Sequence, residues 1–121
     1  HKRPRLATAI SGVAGEYFVA AELSRRGYIA SLTPRNSRGV DILVAAADGT
    51  RSVSIQVKTN QDSTAAWMLD EKHERLEADS LFYVFVRLHG RDRLPDYHVV
   101  PSAVVAVHCR ESHAQWLDRP G

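Results

Sequence analysis

Gly39-Val40-Asp41-Ile42-Leu43-Val44-Ala45-Ala46-Ala47-Asp48-Gly49-Thr50-Arg51-Ser52-Val53-Ser54-Ile55-Gln56-Val57-Lys58 reads as two β-rich runs around a turn. Val40–Val44 and Val53–Val57 are rich in β-branched residues, and Asp48-Gly49 between them is a strong signal for a two-residue hairpin turn. With Asp48 and Gly49 as the turn residues, Ala47 faces Thr50, and counting outward sets Asp41 opposite Gln56. Side chains alternate along a strand, so Lys58 shares the face of Gln56 while Ile55 and Val57 take the other. Three polar side chains therefore converge on one face. A slip of one residue in register would separate them.

Upstream, Ala9, Gly12, Val13, Glu16, Val19, Ala20 and Leu23 recur at three- and four-residue spacing, which predicts a helix from about Ala7 to Arg26 ended by Gly27. Tyr28 to Leu32 reads as a short strand, stopped by Thr33-Pro34 and the polar loop Arg35 to Arg38. Downstream, Asp70 is placed to cap a short helix through about Glu77, Leu81 to Leu88 is an apolar strand, and Tyr97 to Val100 is another. Pro101-Ser102 opens a broken helical segment ending at Trp116-Leu117. The order α-β-β-β-α-β-β-α predicts an α/β fold with helices flanking one sheet.

The chain has 121 residues and 44% hydrophobic content, enough for one core and too little for two ordinary domains, so residues 1–121 are read as a single domain. It begins at His1 and stops at Gly121, which fits a fragment whose ends are missing. No run approaches the ~18 apolar residues of a membrane span, and no membrane partner is expected. The lone Cys109 forms no internal disulfide, and His108 and His113 are too few for a structural zinc site. A reducing, cytoplasmic setting is the expectation. A net charge of +2 and a pI near 8.9 are compatible with a polyanionic partner without establishing one. Basic residues do cluster, at Lys2, Arg3 and Arg5, at Arg25 and Arg26, and at Arg35 and Arg38. Any one of these clusters taken alone reads as solvated surface.

Glu16 lies mid-stripe on the apolar side of the first helix, where a carboxylate is costly to bury. Each polar residue has an ordinary explanation when taken singly. Glu16 can snorkel or pair with an arginine, Asp41 can be a hydrogen-bonded acid at a strand start, and Gln56 with Lys58 can be a solvent-facing strand pattern. Trp67, His113 and Trp116 read as packing or capping residues. Taken together, two acids, an amide oxygen and an ammonium at one place favour a functional site. Asp41, Glu16 and the Gln56 side-chain carbonyl are hard oxygen donors suited to Mg2+ or Mn2+, with room for waters and a phosphate oxygen. Lys58 sets positive charge beside the cation, where it can orient a water or stabilise developing negative charge.

Gly15-Glu16 on the helix, Gly39-Val40-Asp41-Ile42-Leu43-Val44, and Ile55-Gln56-Val57-Lys58-Thr59 resemble the motif set of the PD-(D/E)XK nuclease superfamily. The likeness spans about residues 7 to 100. It implies a restriction-endonuclease-like α-β-β-β-α-β core, related to that of Holliday-junction resolvases, with a mixed central sheet. It also implies that Asp41, Gln56 and the Val57 carbonyl hold the metal, that Lys58 serves the nucleophile, and that Glu16 completes the site. Val40 stands where the motif has proline, and Gln56 where most members carry an acid, which removes one negative charge from the metal site. On the same resemblance Arg35, Asn36 and Arg38 would contact phosphates at the active-site edge.

The leading expectation is a divalent-metal-dependent endonuclease or resolvase hydrolysing DNA phosphodiesters, with RNA open as a substrate. A homodimer is the natural way to cut two strands. The alternatives are a non-catalytic nucleic-acid-binding module on the same fold, in which Gln56 marks a decayed site, and a protein-interaction domain, in which Glu16 and Lys58 are incidental charges.

Overall fold

The computed structural model describes residues 5–34, 39–61 and 80–102. Their order is α1 (Thr8–Arg25), β1 (Ile29–Leu32), β2 (Ile42–Ala45), β3 (Ser52–Asn60), β4 (Leu81–Arg87) and β5 (Asp96–Pro101). The strands form one sheet in the order β1-β2-β3-β4-β5. β3 and β4 run parallel and every other neighbouring pair is antiparallel, so the fold is α/β with a mixed sheet. The helices expected at Asp70–Glu77 and after Pro101-Ser102 fall outside the described residues, as do Trp67, His113 and Trp116; Pro101 itself closes β5. No helix among the described residues is long and apolar enough to cross a membrane.

The β2–β3 register is the one obtained by counting, with Ile42 opposite Ile55 and Ala45 opposite Ser52. The turn chemistry differs. Gly49 N–H donates to the Ala46 carbonyl at 2.8 Å, which puts Ala47 and Asp48 at the centre of the turn, and Ala46 N–H reaches the Arg51 carbonyl at 3.0 Å. The loop is therefore the four residues Ala47–Thr50, with Gly49 at φ 75 and the Asp48 carboxylate accepting from Thr50 N–H at 3.0 Å. A four-residue loop centred on the same point as a two-residue one leaves the register unchanged.

Helix α1 ends in a Schellman arrangement: Tyr28 N–H donates to the Leu23 carbonyl, Gly27 N–H to the Ser24 carbonyl, and Gly27 takes φ 93, a conformation costly for any residue with a Cβ. The face of α1 that meets the sheet matches the apolar spacing only in part: Val19, Ala20 and Leu23 pack on the core, while the N-terminal half is rotated. Its buried residues are Ser11, Gly15 and Val19, whereas Gly12, Val13 and Glu16 are half-buried and Ala9 is exposed. The helix axis turns onto its small residues because these permit the closest approach. A Cβ on Gly15 would overlap Thr59 Oγ1 of β3. Glu16 thus flanks the contact stripe rather than sitting at its middle.

The core is Val19 of α1 over Ile42, Val44, Ile55, Val84, Val86 and Leu88, with Val53 and Val57 packed at its margin. Full burial of each such side chain contributes about 1.5–3 kcal/mol. Gln56 and Lys58 alternate to the opposite face, where their β4 partners are Tyr83 and Phe85, both buried. These two rings stack with centroids 6.0 Å apart.

Candidate active site

β2 and β3 part company at Asp41. The ladder ends at Ile42 opposite Ile55, and Asp41 N–H donates to that same Ile55 carbonyl at 2.8 Å, one step short of regular pairing with Gln56. The Asp41 carbonyl turns toward β1, accepting from Thr33 N–H at 2.9 Å, and the Thr33 hydroxyl donates to the Val40 carbonyl at 2.7 Å. With its backbone fixed on both sides, Asp41 aims its carboxylate at the β3 backbone, where Oδ2 accepts from Val57 N–H at 2.7 Å. The acid therefore takes the place of a missing ladder carbonyl.

Burial raises the Asp41 pKa above its ordinary value of 3.8, opposed by the Val57 hydrogen bond and by the nearby Lys58 ammonium. A carboxylate pushed up by desolvation is a group that a cation would stabilise in its charged form. Folding favours its neutral form, so the stability this lends is full below pH ~3.8 and is lost as pH rises through the folded pKa. Asp41→Asn keeps an oxygen for Val57 N–H and removes the charge. It is expected to melt higher than wild type at pH 7 and to lose that advantage near pH 3, where Asp41 is already protonated. A thermal melt showing the asparagine variant less stable at pH 7 would contradict this.

Val57, extended in β3, carries its N–H and C=O on one edge of the strand, so its carbonyl shares the Asp41 side. The Gln56 side-chain oxygen is buried and has no hydrogen-bond partner among the described residues. Such an orphan acceptor costs about 1–3 kcal/mol unless something fills its place. Carboxylate, amide oxygen and main-chain carbonyl are all hard donors, and this set fits Mg2+ or Mn2+. Among the described residues no three of His, Cys, Asp or Glu gather at a metal-binding distance. A cation here would rest on one or two carboxylates and retain waters, as magnesium commonly does.

Asp41 meets Val57 directly, and the Lys58 ammonium is near enough to favour the charged form of its carboxylate. Gln56 adjoins them on β3. Glu16 comes from the helix, next to the Gly15 that abuts Thr59, the residue after Lys58. The chain matches no known family, characterised protein or solved structure. Arg35, Asn36 and Arg38 lie outside the described residues, although both ends of their loop meet beside Asp41 through Thr33 and Val40. Sequence reasoning passed over Thr33, which orients Asp41, and Gly15, which sets the helix height. The Ser11-x-x-x-Gly15 spacing of small residues just before Glu16 was the available signal for the second.

Proposed function

We propose that this chain is a divalent-metal-dependent nuclease domain of the PD-(D/E)XK type, hydrolysing DNA phosphodiester bonds. The observation that carries this reading is the half-buried Asp41 carboxylate, held by Val57 N–H beside Lys58 where β2 leaves β3. The antiparallel β2–β3 hairpin and the parallel β4 beside it are consistent with a restriction-endonuclease-like core.

Asp41, the Gln56 oxygen and the Val57 carbonyl would hold Mg2+ or Mn2+, with Glu16 completing the set from α1. When bound, the cation supplies Lewis acidity to a phosphate oxygen and lowers the pKa of a coordinated water. Lys58 orients the attacking water and offsets charge building on the phosphate. Neutral Gln56 keeps the site less negative than a third carboxylate would, so weaker metal affinity is its expected consequence.

The direct test is Mg2+ and Mn2+ titration against supercoiled, linear, branched and single-stranded DNA. Metal-dependent cleavage supports the reading. Tight binding without cleavage under either metal would instead favour a binding module, to which the neutral Gln56 lends some weight. Gln56→Glu is expected to enlarge the rise in Tm that Mg2+ produces, because it adds a charged oxygen ligand. A smaller rise than in wild type would remove Gln56 from the ligand set.

A further inference from the structure

Helix α1 is apolar on the side that faces away from the sheet as well as on the side that meets it. Ile10, Tyr17, Phe18 and Ala21 share the outer face at helical spacing and are all exposed, Ile10 by 58%, Tyr17 by 60% and Phe18 by 39%. Leu6, just ahead of the helix, is 46% exposed as well. Its backbone is fixed, because the Gln61 side chain beyond β3 accepts from Leu6 N–H at 2.8 Å and donates to the Leu6 carbonyl at 2.9 Å. From Leu6 to Ala21 the single charged residue is Glu16, half-buried beside the sheet contact. A helix that is apolar all round is ordinarily a buried one, so large side chains left exposed along its outer face mark a docking surface.

Cations bracket this face. Exposed Arg5 precedes it, and Arg25, four residues past Ala21, continues it beside Arg26. Glu22 meets both arginines, at 3.3 and 3.1 Å, so two cations share one acid and keep a net positive charge, with their side chains 75% and 69% exposed. The charges select the occupant. A second copy laid along α1 sets basic end against basic end whether the two helices run parallel or antiparallel, because both ends carry the same sign. An anionic bilayer complements the whole face: its acyl region takes the apolar side chains, the aromatic rings suit its interface, and its headgroups meet the arginines. We propose that α1 docks through Ile10, Tyr17 and Phe18 on an anionic membrane surface, lying in its plane between Arg5 and Arg25. Such docking needs one apolar helix face and no spanning segment, so the expectation of no membrane partner, drawn from the lack of a span, does not oppose it. None of these residues belongs to the proposed nuclease site, and the two readings stand independently.

The test is flotation of the full chain with vesicles of phosphatidylcholine alone and of phosphatidylcholine mixed roughly 2:1 with phosphatidylserine. Wild type is expected to float with the mixed vesicles and to stay behind with the neutral ones. Ile10→Ser combined with Tyr17→Ser removes apolar area without changing charge, and is expected to lower partitioning at least about tenfold while the circular dichroism is unchanged. Arg25→Gln is expected to cost about fivefold, the worth of one cation near an anionic leaflet. Tyr17→Trp reads insertion directly, since brominated acyl chains should quench its emission beyond that of wild type. Undiminished flotation of the double serine variant overturns the docking face, and equal binding to both kinds of vesicle overturns the role of the arginines. Failure of wild type to float overturns the membrane itself. A dimer in sedimentation equilibrium that the double serine variant dissociates would then give the face to a second copy.

Discussion

Asp41→Ala is expected to reduce metal-dependent DNA cleavage by about 10²- to 10⁴-fold while the chain stays folded. Two losses combine in this variant. One cation ligand disappears, and the Val57 N–H loses the acceptor that stands in for the ladder at the β2 end. The second loss costs only about 1–3 kcal/mol, and removing a desolvated charge offsets part of it. Stability and activity should therefore move by very different amounts. Asp41→Asn separates them further, because it keeps the hydrogen bond and discards the ionic ligand. Lys58→Ala is expected to lower kcat by about 10²- to 10³-fold with smaller effect on metal affinity. Circular dichroism with single-turnover cleavage reads both quantities. Full activity in either alanine variant would dismiss the proposed site.

Gly15→Ala is expected to destabilise the chain by about 1–2 kcal/mol, lowering Tm by several degrees. An alanine inside a helix ordinarily gains up to about 1 kcal/mol over glycine. Here the added methyl meets Thr59 Oγ1, with Thr59 Cβ at 3.0 Å and Cγ2 at 3.1 Å, so α1 must lift from β3 or Thr59 must move. Overpacking of this kind costs about 1–3 kcal/mol, which outweighs the propensity gain. Gly12 supplies the contrast, since a Cβ there meets nothing within 4 Å and Gly12→Ala should stabilise. Adding Thr59→Ala to Gly15→Ala removes two of the three clashing atoms and should recover most of the loss. Chemical denaturation of the three variants beside wild type checks the sign of each step; equal effects at Gly12 and Gly15 would mean that the helix does not rest on Thr59.

Legibility in the sequence followed the range of the interactions involved. The β2–β3 register could be counted from Asp48-Gly49 because a hairpin is local and its symmetry point survives a change of turn type. The Gly27 stop of α1 was readable for the same reason, since a positive-φ C-cap is a property of adjacent residues. The face of α1 is legible only in part: Val19, Ala20 and Leu23 pack on the core, but Ser11 and Gly15 are buried where the spacing points to Gly12, Val13 and Glu16. Apolar spacing measures what a helix would bury against a uniform surface, whereas the actual neighbour of Gly15 is Thr59, which leaves no room for a Cβ there.

Sequence by itself determined the strand runs, their alternation and the chemical character of Glu16, Asp41, Gln56 and Lys58, because those depend on residue type and short-range geometry. Tertiary structure decided which way Asp41 points. Its carboxylate reaches Val57 N–H only because Thr33 pulls its carbonyl toward β1 while Ile55 takes its N–H, and no local rule links positions 33, 41 and 57. It also decided that Leu6 is held by Gln61 across 55 positions. Hydrogen bonds between distant segments form only after the sheet has brought their backbones together, and that is why the hairpin could be counted while the aim of its acid could not.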